Sequence, residues 1–416
     1  MQESDARYVH VSQLRIGMFV QLDLGWMEHP FPIGSFKISS AQQIETIRAL
    51  GLTQVRFDPR QSEVSQWPDA ETEPAALIAS EPAPRTSARA ATANSDERDF
   101  DRIAAQRRNA LACERRRDLA MEGYARIVGL LATDAALARA EAEGVVADCV
   151  HELLEGGESS IRLLRGPSAA AAVEVHPVNV MVFSLLLGKS LGLLQRDLLD
   201  LGLAALLHDV GDGQSPDRPR QARRSPLHVA SGVALARRMN LPDDAVRAIA
   251  EHHELVNGTG FPAALRGSEM SSGGKILSLV NCWENLCNPH PGHLQMTPYD
   301  ALSTVFGQMR SHFDPAVLGA FIRMMGLYPP GSLVQLADDR HALVVGVNSS
   351  RPLRPQLLVH DPVVPREQAL LLDLEQVPDL AIRRALKPAQ LPAPALDYLQ
   401  PPHIYAYFFA RALSGV

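Results

Sequence analysis

Residues 197–212 read DLLDLGLAALLHDVGD, and residues 248–262 read AIAEHHELVNGTGFP. Each is an apolar helical pattern ending in a doublet, His208-Asp209 in the first and His252-His253 in the second. Successive helical positions point about 100° apart, so both members of a doublet reach a common ion only at the edge of the helix. Gly211 then allows a tight turn, and Gly258, Gly260 and Pro262 make a loop after the second doublet. His176 and His228 bring the histidines between residues 170 and 260 to five. A lone helical histidine is most often structural, but two doublets plus two singles in this order are not explained that way. Imidazole with carboxylate suits iron, manganese or zinc, and a carboxylate shared by two ions builds a hydrolytic centre.

The flanks place this region within a larger chain. Residues 155–326 read as all-helical, with Pro177 and Pro242 near helix starts, where proline is tolerated. Upstream, residues 98–154 are charged, Ala-rich and proline-free, and predict a helical lead-in that packs on the next domain; sustained heptads for a dimerising coiled coil are lacking. Residues 68–97, with Pro68, Pro74, Pro82 and Pro84, read as a linker. In residues 1–67, VHVSQLRIGMFVQLDL (9–24) alternates like a strand with Gly17 as a turn or bulge. A helix AQQIETIRALG (41–51), capped by Ser39 or Ser40, and a strand TQVRFD (53–58) follow. Downstream, GSLVQLADDRHALVVGV (331–347) and PQLLVHDPVV (355–364) alternate, so residues 331–416 predict a small β-containing extension that ends in HIYAYFFAR (403–411), which has no functional reading.

Composition narrows the partners. The chain has 416 residues, suggesting two or three domains, and a formal charge of −7, which argues against a general binder of DNA, RNA or anionic membranes. Cys113, Cys149, Cys282 and Cys287 have no CxxC spacing, so a reducing compartment is expected, with neither a disulfide framework nor a cysteine zinc site. MQESDARYVH has no apolar signal core, and no run approaches the ~20 apolar residues of a membrane span, which predicts a cytoplasmic protein.

In order, VHPVNVMVFSLLLGKSLGL (175–193), AALLHDVG (204–211), SPLHVASG (225–232), AIAEHHELVNGTGFP and GGKILSLVNCWENLCN (273–288) resemble the HD-GYP family of bacterial cyclic di-GMP phosphodiesterases. LRIGMFVQLDLGWMEHPF (14–31) and IRALGLTQVRFD (47–58) are similar to a small domain often found ahead of such modules. The resemblance implies a mainly α protein: an all-helical HD-superfamily domain over 155–330, a small α+β N-terminal domain and a short C-terminal β-appendage. It implies at most two divalent metals, iron or manganese before zinc, and no organic cofactor. His176, His208, Asp209 and Asn281 would hold the first metal, Asp209 would bridge, and His228, His252 and His253 would hold the second. Asn257, Gly258, Gly260, Phe261 and Pro262 would shape the loop beside the ligand, and Lys275 would reach a phosphate. The partners implied are cyclic di-GMP, signalling proteins such as diguanylate cyclase domains, and a second copy in a homodimer.

This chain departs from the family pattern at four places. Asp212 stands where HDxGK has a lysine near the metals and the scissile phosphate, a change of two charge units; one unit charge at ~4 Å is worth roughly 4 kcal/mol under an effective screened dielectric. Asn281 stands for an aspartate, and Asn257 and Phe261 stand where DGxGYP has a carboxylate and a phenol. Ala172 stands where three-metal members place a glutamate. Asp212 is kept with His208 and Asp209 among the expected catalytic residues, because it could restore at the first ion the charge lost at Asn281. The expected function is hydrolysis of cyclic di-GMP to pGpG or GMP, with reduced activity. The alternative is an inactive HD-GYP module serving as a cyclic di-GMP sensor or adaptor, and a third reading is an HD hydrolase acting on another nucleotide. Glu251 and Glu254 beside the histidine pair, and Arg115-Arg116-Arg117, read most simply as solvated charges.

Overall fold

The computed structural model describes residues 7–22, 35–49, 52–59, 62, 92–155, 158–166, 174–211, 226–289, 293–348, 351–377 and 379–411. Two compact units are present, Met1–Arg98 and Asp99–Val416. In the first, β1 (Arg7–His10), β2 (Phe19–Gln21), β3 (Ser35–Lys37) and β4 (Gln54–Asp58) form an antiparallel sheet in the order β1-β4-β2-β3, with α1 (Ala41–Ala49). The alternating run leaves β1 at His10 into a 3-10 turn over Val11–Gln13, and Gly17 at φ +95° turns the chain into β2. Ile38, Ile44, Ile47, Val55 and Phe57 are buried together, and the Ser40 hydroxyl accepts from the Gln43 amide at the start of α1.

The second unit begins with α2 (Thr92–Leu130), which crosses the boundary, and α3 (Ala135–Glu155). Residues 92–97, expected in a linker, are the first turns of α2, and residues 68–91 lie outside the described residues. Cys113, Tyr124 and Ile127 of α2 and Val146, Val150 and Leu153 of α3 enter the main core. β5 (Ser159–Leu164) follows, a short apolar strand inside the stretch expected to be wholly helical. Gly156-Gly157 precede SSIRLL and Gly166-Pro167 follow it, and six residues are too few for a stable helix.

Around the core come α4 (Val175–Ser190), α5 (Gln195–Leu207), α6 (Pro226–Arg238), α7 (Asp243–Glu251), α8 (Ser272–Cys287), α9 (Pro298–Gly307) and α10 (Pro315–Met325). α4 is buried on every face from Pro177 to Gly188 and packs against α5, α8 and α10, as a helix without a polar side must. The chain then makes β6 (Leu333–Leu336), β7 (His341–Asn348), β8 (Gln356–Val359), β9 (Leu371–Asp373), β10 (Ile382–Leu386), α11 (Ala393–Leu399) and β11 (Ala406–Arg411).

These strands and β5 form one seven-stranded sheet. β6 and β5 share one edge of β7, facing its first and second halves, and β8 takes the other edge. β11 pairs with β5 over its full length, Ala406 opposite Leu164 and Arg411 opposite Ser159. The fold is mainly α with β-structure at both ends, as the motifs imply. The C-terminal strands, however, are joined to the helical domain through β5, and β11 packs on α4. Among the described residues no helix is long and apolar enough to cross a membrane.

Candidate metal centre

α5 and α7 end alike. His208 is the C-cap of α5 and His252 the C-cap of α7. Each turns its Nδ1 back to the carbonyl three residues earlier, His208 to Ala205 at 2.8 Å and His252 to Ile249 at 2.6 Å. The last carbonyls of a helix lack partners within it, so these contacts satisfy orphan acceptors. They also fix the tautomers, because a carbonyl only accepts: Nδ1 carries the proton and Nε2 is left with a lone pair. Both helices point their negative ends at the site, which favours cations there.

The remaining ligand candidates close around Asp209. Its Oδ2 lies 3.5 Å from Nε2 of both His176 and His208, while its Oδ1 lies 3.5 Å from His252 Nε2 and 3.8 Å from His228 Nε2. Two clusters result: His176, His208 and Asp209, and Asp209, His228, His252 and His253. Nε2 of His176 lies 3.1 Å from Nε2 of His208, and Nε2 of His228 lies 3.1 Å from those of His252 and His253. Facing lone pairs at that distance repel unless a cation sits among them.

A proton does not serve at His208 or His253, because burial holds both imidazoles well below their usual range, His208 down to about 3. Burial opposes ionisation of Asp209, yet the surrounding histidines, His208 first, keep its carboxyl well below the usual range, so it is anionic. At His176 burial works against the charged form, but Glu284 and Asp209 outweigh it and push the imidazole up to about 10. An anionic carboxylate facing two sets of imidazole nitrogens is a donor set that suits divalent cations.

Gly211 follows from close approach rather than from an unusual turn. A Cβ there would run into the His228 carbonyl and the Gly232 amide, so only glycine lets α6 bring His228 beside Asp209. Gly260 is enclosed in the same way by backbone of residues 253–255, and Gly258 sits at φ +79°.

The other sequence-derived positions fall out differently. Asn281 is buried in α8, and its Oδ1 accepts from Asn285 Nδ2 at 2.7 Å. Lys275 pairs with Asp314 at 3.2 Å, the residue that caps α10. Phe261 stacks on His253, ring centres 4.6 Å apart, so one of its faces is occupied by a candidate ligand histidine. Asn257 turns its Oδ1 to the amide and hydroxyl of Thr259 and organises the loop itself. Pro262 lies in the same loop, where the Phe261 amide donates to the His253 carbonyl. Asp212 and Ala172 lie outside the described residues, as does the segment joining Gly211 to α6.

Three expectations are corrected. Glu254 is fully buried and its two oxygens accept from the Ala263 and Leu265 amides, at 2.6 and 2.9 Å, pinning the loop. Glu251 is buried and accepts from the Ser271 amide and hydroxyl, holding the start of α8. Arg117 is buried and donates to the Arg165 carbonyl, while Arg115 stays exposed. The chain folds back over these charges, which local sequence does not show.

Glu284 escapes the motifs altogether. It is fully buried in α8 and its Oε2 contacts His176 Nδ1, so the outer nitrogen of a candidate ligand histidine is held by a carboxylate. Its only signal in the sequence is its position three residues after Asn281, on the same face of the helix.

Residues 7–161 match a domain of unknown function (DUF3391), and residues 168–317 match the HD domain. The DUF3391 match therefore takes in α2, α3 and part of β5, beyond the first compact unit. The chain is 27% identical over 369 residues to a cyclic di-GMP phosphodiesterase of Pseudomonas aeruginosa, covering 84% of each. It is 26% identical over 163 residues to a 3'3'-cGAMP-specific phosphodiesterase of Vibrio cholerae, 37% of this chain and 35% of that protein. Among solved structures, an HDG"Y"P protein of Bdellovibrio bacteriovorus superposes on 76% of this chain and 98% of its own, at 15% identity and a TM-score of 0.40. The HD match covers all five histidines and Asp209, so residues 168–317 are an HD domain, and the resemblance read from the motifs is borne out.

Proposed function

We propose that this chain is a metal-dependent phosphodiesterase that hydrolyses cyclic di-GMP to pGpG or GMP. The observation that carries this reading is Asp209, whose two carboxylate oxygens each face a separate set of imidazole Nε2 atoms. His176 and His208 would hold one divalent ion, His228, His252 and His253 the other, with Asp209 between them; iron or manganese suits this nitrogen- and oxygen-donor set. Such ions, when bound, neutralise charge on a phosphodiester and acidify the water that attacks it. The chain's own part is to hold the ligands rigidly: backbone carbonyls orient His208 and His252, and Glu284 orients His176. Glu254 fixes the loop 257–262 at the edge of the second cluster. The relative of greatest coverage reported above is named for cyclic di-GMP, which favours that substrate over other cyclic dinucleotides.

A second reading, a module that binds cyclic di-GMP or a signalling protein without turnover, is favoured by two side chains. Lys275 is neutralised by Asp314, and Phe261 has one face on His253, so both expected ligand contacts are already engaged. The test is an anaerobic assay of the purified full chain with cyclic di-GMP and Mn²⁺ or Fe²⁺, products separated by HPLC. Release of pGpG or GMP, abolished in His208→Ala/Asp209→Ala, is the expected result. Loaded metal with no product would overturn the hydrolase in favour of the binding module.

A further inference from the structure

Residues 405–407 of the tail 403–411 lie behind His176, joined to Glu284 through two asparagines. Asn179 of α4 stands one turn after His176, and Asn288, the C-cap of α8, stands one turn after Glu284. Both asparagines donate from Nδ2 to Glu284 Oε1, at 3.0 and 2.7 Å, and both also donate from Nδ2 to the Tyr405 carbonyl, at 2.8 Å each. Their Oδ1 atoms accept from the backbone amides of Tyr407 and Tyr405, at 2.9 Å each. Glu284 Oε2 remains for His176 Nδ1.

We propose that the backbone of residues 405–407 is a positioning element of the first metal site, acting through Asn179 and Asn288 on Glu284 and so on His176. This rests on the metal reading given above.

The chemistry of the amide is what makes the relay specific. Flipping either asparagine would set its oxygen against a carboxylate and a carbonyl, and its N–H₂ against a backbone N–H, so each amide has one satisfied orientation. Glu284 is fully buried, and a buried carboxylate needs every lone pair answered. With Oε1 held by two amides, Oε2 has one place to go, and His176 is left presenting Nε2 toward His208 and Asp209. On its other edge the strand is ladder-bonded to β5, so the reference point for the relay is a sheet and not a loose end. His228 and His252 face the other carboxylate oxygen of Asp209, so a displaced His176 should act on the ion at Oδ2 before the one at Oδ1.

The experiment is Mn²⁺ loading of the full chain, with content per chain by mass spectrometry and binding curves from EPR of free Mn²⁺. Variants are Glu284→Gln, Asn179→Asp and Asn288→Asp, all close to isosteric, with Asn288→Ala in reserve should an aspartate prevent folding. Thermal unfolding identifies the folded ones. The wild type is expected to hold two ions. Each folded variant should weaken one ion about 10–100-fold and leave the other unchanged, the usual cost of losing a carboxylate behind a ligand histidine. Adding Glu284→Gln to His176→Ala should cost nothing further, because the effect passes through that imidazole. Two ions bound as tightly as in wild type, or equal loss at both sites, overturns the relay. A wild-type chain that takes up no Mn²⁺ or Fe²⁺ overturns the metal reading itself.

Discussion

Asp209 and Gly211 stand two residues apart and fail in different ways when changed. Asp209→Asn keeps the shape but removes the shared charge, so it is expected to lower Mn²⁺ content at both ions together, unlike Glu284→Gln. Gly211→Ala keeps every ligand side chain but forces a methyl group into the α6 backbone at His228. It should cost roughly 1–3 kcal/mol of stability by denaturant unfolding, as overpacking does; an unchanged midpoint would show that α6 can shift. The sequence displays the ligands because metal chemistry needs particular side chains at particular spacings. It hides Glu284, Glu251 and Glu254, because nothing local distinguishes a carboxylate in water from one that receives backbone amides after the chain has turned back. It also gives Phe261 no neighbour, so its stacking on His253 could not be anticipated.

Helices α4, α5, α7 and α8 were readable as elements because each has an apolar pattern that stops at a recognisable signal. β5 and β11 were not. SSIRLL and HIYAYFFAR are short apolar runs whose pairing partner lies elsewhere in the chain, and periodicity says nothing about partners. Once paired, β11 becomes core: Tyr407 meets Phe183 edge-on with ring centres 5.0 Å apart and Trp283 at a tilt with centres 6.0 Å apart, and Phe408 and Phe409 are both buried. Phe409→Ala is therefore expected to cost about 3–5 kcal/mol of stability. Because Phe409 makes no contact in the asparagine network, the folded fraction should still load two Mn²⁺ ions per chain. A selective loss of one ion in this variant would mean that packing, rather than hydrogen bonding at 405–407, governs the site.

At the scale of the second unit, one core carries residues from α2 through β11, so it should open as a whole. Three thiols distributed through it can report this. Burial pushes Cys113 up to about 11, Cys149 up to about 12 and Cys287 well above its usual range, so none offers a thiolate near neutral pH. In the native chain all three are expected to resist iodoacetamide at pH 8, and to become labelled together across one denaturant transition. Labelling of Cys113 well before Cys287 would instead divide α2 from the helical domain. The pairing of β5 with β11 joins Ser160 to Ala410, 250 residues apart. A nascent chain emerging from the ribosome therefore has all five histidines and Asp209 in hand long before residues 405–407 exist to brace His176. Under the proposed relay, metal offered earlier would meet an unbraced first site, and full loading would wait until residues 405–407 have been made and paired with β5.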